Sequence, residues 1–148
     1  MNLSDQQAKD EILTLFTTAW NLNTPPLNGS AVVALEFDGV DAQGERDPTK
    51  PWARVMVQQT VSEPVGLGGL SNVRYTRNGI ITVQVFTPLS EGGPTKAEQL
   101  SVVIREALEG KTTSGGVWFR VPRITVVGQG AGWYQINTTA LFQFDQIR

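Results

Sequence analysis

The stretch from Gly79 to Glu109 constrains the fold more than any other. It reads G-I-I-T-V-Q-V-F-T-P-L, then S-E-G-G-P-T, then K-A-E-Q-L-S-V-V-I-R-E-A-L-E. The first part is β-branched and aromatic and closes on Pro88, as a strand does. A glycine-rich turn follows. The last part places Ala97, Leu100, Val103, Ile104, Ala107 and Leu108 on one helical face. Thr95 and Glu98 have capping-box spacing, and Gly110 stands where a C-terminal cap belongs. A strand that feeds straight into a helix through a short turn must bury both in one core.

The flanking segments extend this pattern. Ser4 and Gln7 form a second capping-box pair, with Asp5 placed to suit the helix dipole. Ala8, Ile12, Leu15, Phe16, Ala19 and Trp20 then predict an amphipathic helix from about Asp5 to Asn21, with Trp20 in the core. Asn23-Thr24-Pro25-Pro26 ends it. Val32–Phe37 and Trp52–Val61 read as strands around a polar loop, Asp38–Pro51. Ser62–Asn72, with Pro64, Gly66, Gly68 and Gly69, reads as a connection suited to ordering on assembly. Asn78-Gly79 predicts a hairpin between a third strand, Val73–Thr76, and a fourth, Ile80–Thr87.

Val117–Val127 is a fifth strand whose Pro122 marks a bulge or an edge. Gly128–Gly132 reads as a turn. In the last strand Tyr134, Ile136, Thr138, Ala140, Phe142 and Phe144 share a face. The expected fold is α+β, in the order α-β-β-β-β-α-β-β. Residues 1–148 form a single domain, a two-layer sandwich whose mostly antiparallel sheet is covered on one face by two helices.

Composition narrows the function classes. The chain has no cysteine and no histidine, so it lacks thiolate ligands, the commonest general base and the commonest metal ligand. The acidic group Glu36, Asp38, Asp41, Glu45 and Asp47 lacks EF-hand spacing and reads as a solvated loop. Gly66-x-Gly68-Gly69 and Gly128-x-Gly130-x-Gly132 match no phosphate-binding motif. Asp145, the nearest thing to a catalytic carboxylate, reads as a strand-end residue. The expectation is no enzyme, no catalytic residue, no cofactor and no metal. No membrane-spanning run and no secretory signal is expected either.

With charged residues at 18%, the surface must rely on Gln, Thr, Asn and Ser, which suits packing against protein. A net charge of −2 speaks against a dedicated nucleic-acid binder. The charge is uneven. Residues 1–47 hold eight acidic and two basic side chains; residues 48–148 hold six and ten. That is either ordinary solvation or a pair of complementary faces. Arginine interleaved with aromatics leaves three uses open: a protein interface, plain structural packing, or stacking of single-stranded nucleic acid. The candidate interface residues are Arg54, Gly66, Gly68, Gly69, Arg74, Tyr75, Arg77, Trp118, Arg120 and Arg123.

The order of elements, the W-A-R-V-M-V strand, the N-G-I-I-T-V-Q-V-F-T-P strand and the G-G-P-T-K-A-E-Q-L helix resemble the tail terminator proteins of long-tailed bacteriophages. The resemblance runs from the first helix to the final strand. It implies a structural virion protein, assembled in the host cytoplasm as a homohexameric ring on the head-proximal end of the tail tube. Its partners would be further copies of itself, the tail tube protein and the head connector or neck protein. It would meet no membrane and no specific nucleic acid beyond DNA passing through the ring. The alternatives are another neck or tail-completion protein, or a small nucleic-acid-binding α+β module.

Overall fold

The computed structural model describes residues 2–40, 47–64 and 73–147. The elements are α1 (Asp5–Asn23), a 3₁₀ turn (Pro25–Leu27), β1 (Ala34–Phe37), β2 (Trp52–Pro64), β3 (Arg74–Pro88), a second 3₁₀ turn (Leu89–Glu91), α2 (Gly93–Leu108), β4 (Trp118–Gly130) and β5 (Trp133–Ile147). The strands form one sheet in the order β1-β2-β3-β5-β4. All pairings are antiparallel except β1 with β2. The expected α+β sandwich is therefore present, with both helices on one side of the sheet.

Period-two alternation produces this layering. Ile81, Val83 and Val85 of β3 and Ile136, Ala140, Phe142 and Phe144 of β5 are all buried. They meet Ile12, Phe16 and Trp20 of α1 and Leu100, Ile104 and Leu108 of α2 in one core. The α1 capping box forms as expected: the Gln7 amide donates to the Ser4 hydroxyl at 3.1 Å, and the Ser4 amide to the Gln7 side chain at 2.9 Å. Trp20 is fully buried, and its indole N–H donates to the Val33 carbonyl at 2.8 Å. Thr24 completes the lock by donating to the Trp20 carbonyl (2.8 Å) and accepting from the Val33 amide (3.2 Å). These bonds fold the chain back from α1 towards β1. Truncating such a tryptophan typically costs about 4 kcal/mol.

The first residues close the sheet's far end. The Asn2 side chain exchanges two hydrogen bonds of 3.0 Å with the Ile147 backbone, as a paired strand residue would. Gln146 donates to the Leu3 carbonyl at 2.7 Å and to Asp5 at 2.9 Å.

Several local expectations are corrected. The hairpin at Asn78-Gly79 does not form; the predicted third and fourth strands are one strand, β3. Neither residue has positive φ. Gly79 serves close approach instead: a Cβ there would run into the Phe142 ring and stand 2.5 Å from the Gln58 carbonyl oxygen. Opposite it, β2 bulges between Gln59 and Ser62, and Asn78 donates to the Val61 carbonyl at 3.3 Å. The Thr95 cap is also absent, because α2 begins earlier, at Gly93, behind a left-handed Gly92. The last turn is tighter than expected. β4 continues to Gly130, and Ala131 and Gly132 alone turn the chain, both at positive φ. Pro122 behaves as read: β4 is an edge strand, and its register shifts between Arg120 and Arg123. Gly66, Gly68 and Gly69 lie outside the described residues.

Gly79→Ala is expected to destabilise the protein by about 3 kcal/mol in denaturant titration, through forced displacement of Phe142. Gly130→Ala, where a Cβ meets nothing within 4 Å, is the control. It should stay within about 0.5 kcal/mol of the parent. Equal effects would remove the close-approach explanation.

Candidate assembly surface

Among the described residues, no helix covers the other side of the sheet. Directly paired residues share a face, so the register defines its rows. One row is Arg54, Gln84, Asn137 and Thr125; the next is Met56, Thr82, Thr139 and Arg123; a third is Gln58, Ile80, Leu141 and Arg120. At about 4.8 Å between strands, a row spans roughly 15 Å. The β3 and β5 members are half-buried by their neighbours alone. The face is broad, mostly uncharged and polar, with arginines towards both sides.

An aromatic corner closes one end. Trp52 stacks on Phe86 with ring centroids 4.2 Å apart, and Trp133 meets Trp52 edge-on at 6.4 Å. The Arg54 guanidinium lies over the Trp52 ring at 5.3 Å and 3.6 Å from the Glu36 carboxylate. At the other end Arg74 pairs with Asp145, which also accepts from the Thr76 hydroxyl at 2.9 Å. Burial pushes the Asp145 carboxyl up, but the Arg74 and Thr76 hydrogen bonds and the guanidinium charge outweigh it and hold it below its ordinary value. On β4, Arg120 lies over Trp118 at 5.2 Å. Arg123 sits one row along, opposite Thr139. Among the described residues no carboxylate pairs with Arg120 or Arg123.

The structure thus gathers Arg54, Arg74, Trp118, Arg120 and Arg123 on one face. It separates Tyr75 and Arg77 from them. Strand alternation turns these two to the helix-covered side, where Arg77 lies over Tyr75 at 5.2 Å and donates to Gln146 at 2.8 Å. The aromatic corner was not legible, because Trp52 and Phe86 become neighbours only through the β2–β3 register.

Arginine stacked on tryptophan is the chemistry of interface anchors, and Thr, Gln and Asn lose less on desolvation than charged groups. Among the described residues, no group of three or more His, Cys, Asp or Glu side chains could hold a metal ion. No helix among them is long and apolar enough to cross a membrane.

The Asp145 pair gives a pH test. A carboxyl with a lowered folded-state pKa stabilises the fold above its ordinary value of 3.8, and this is lost as pH falls through the lowered one. Because the pair is more than one-third exposed, Asp145→Asn is expected to cost only about 0.5–1 kcal/mol at pH 7. The difference from the parent should vanish on acidification below the carboxylate range, as followed by urea unfolding. A deficit that persists at pH 2 would assign the loss to packing rather than charge.

No protein-family profile and no curated protein matches the chain. Solved structures do. One, of a protein without a descriptive name, is similar with a TM-score of 0.67 at 12% identity, over 99% of this chain and 97% of its own. A chain in the virion of a native gene transfer agent particle is similar with a TM-score of 0.50 at 14% identity, over 93% of both chains. At such identities the likeness is one of fold, and it extends over essentially the whole domain.

Proposed function

We propose that this chain is a structural component of a phage-type virion. More specifically, we propose that it is a tail terminator: copies close into a ring, six in number, at the head-proximal end of the tail tube. There the ring ends tube growth and offers a surface to the head connector. The reading is of a protein that acts by assembly, with no bond made or broken.

The observation that carries it is the end-to-end fold likeness to a chain of the gene transfer agent virion, covering 93% of each. The open sheet face supports it. A five-stranded surface rich in Thr, Gln and Asn, anchored by Arg54, Arg120 and Arg123, suits broad protein contact. The element order and strand motifs that resemble tail terminators support the proposed position within the particle. A nucleic-acid module would also use arginine and aromatics, but the acidic balance of the chain favours a protein partner.

Particles assembled without this protein are expected to carry overlong tails, seen by electron microscopy. Tails of normal length beside detached, filled or empty heads would contradict the terminator role and assign the chain to the neck. Binding to single strands that weakens steeply with salt would instead favour the nucleic-acid reading.

A further inference from the structure

The outer side of the helix layer carries a groove of about 1030 Å³ between α1, the first 3₁₀ turn, α2 and residues 111–114. Leu15, Leu22, Leu27 and Val103 line it, and Leu22 is 75% exposed. Asp10, Glu11 and Glu106 also line it, against the single cation Lys111. Glu11 is committed within the chain, accepting from the Gly115 amide at 2.7 Å. Among the described residues Asp10 accepts only from the uncharged Gln6 side chain, at 2.9 Å, and like Glu106 it is exposed. The groove is therefore apolar with spare negative charge.

β4 presents the opposite chemistry at the sheet's outer edge. Its bulge sets Val121 and Pro122 between Arg120 and Arg123. Val121 is 59% exposed at φ +51. β4 holds these two arginines and no acidic residue. A second bulge lies between Val126 and Gly128. Two bulges, a proline without an N–H and paired positive charges make β4 a poor template for strand addition. A partner must meet its side chains rather than its backbone.

We propose that the β4 bulge of one copy seats in the α1–α2 groove of the next. Val121 enters the apolar groove, and the Arg120 and Arg123 guanidiniums meet the Asp10 and Glu106 carboxylates. The occupant is a second copy because the two patches of this one chain complement each other in both polarity and charge. The patches differ, so the contact is heterologous, and heterologous contacts propagate and can close into a ring. The inference rests on the ring reading above and adds the surfaces that seal it.

Two double variants test it, each at exposed positions: Arg120→Glu with Arg123→Glu, and Asp10→Lys with Glu106→Lys. Self-association is read by light scattering across concentration, alone and with purified tube ends, and folding by circular dichroism. Each variant should remain folded and lose self-association by about 100-fold or more. Mixed in equal amounts, the two should assemble again, because each reversed bulge then faces a reversed groove. Leu22→Asp, a change at an exposed groove side chain, should reproduce the loss should either double variant fail to fold. If a folded variant assembles like the parent, or the mixture fails to recover, these surfaces do not meet and the inference falls while the ring reading stands. If the parent chain never assembles, even on tube ends, the ring reading falls and takes the inference with it.

Discussion

The pairing of β3 with β5 is the constraint on which the rest of the structure depends. It runs without a register break from Arg74 opposite Ile147 to Pro88 opposite Trp133. Side-chain period in a strand is two, so one unbroken register commits every residue of both strands to a side. Ile81, Val83, Val85, Ile136 and Phe142 fall on the side the helices cover. Thr82, Gln84, Asn137 and Thr139 fall on the other. A slip of one residue would exchange the two sets and leave α1 and α2 nothing to pack against. Gly79 guards the register locally, since the Phe142 ring fills the space a side chain would need.

This division also explains the functional logic. The helix-covered side holds the fold together. The open side is held in shape by neighbour contacts and by pairs at its ends, Arg54 with Glu36 and Arg74 with Asp145. The apolar side chains that stabilise the fold and the polar ones left to meet a partner under the proposed function thus lie on opposite faces of the same strands. Side chains on the open face can meet a partner without any change in the core, as the proposed assembly would need.

Much of the fold was legible in the sequence, for local reasons. The apolar stripes of α1 and α2, the Ser4 capping box, the Trp20 core position and the alternation from Tyr134 to Phe144 are set by residues close in the chain. The errors arose where a distant residue decided. Asn78-Gly79 is the commonest hairpin signal, yet the Phe142 ring and the β2 bulge hold it in a continuous strand. Residue type alone singles out the arginines of β2 and β4, but their gathering on one surface with Trp118 depends on strand order β2-β3-β5-β4, which no local pattern encodes. The aromatic corner and the helix-layer groove were missed for the same reason.

The central claim is that this chain works by binding copies of itself at a tube end. Mass photometry of purified protein added to tail tubes that lack it measures this most directly. The account requires a complex of one fixed copy number at one end of each tube, which then accepts no further tube protein. Protein that stays monomeric at every concentration and leaves tube growth unchanged would contradict it.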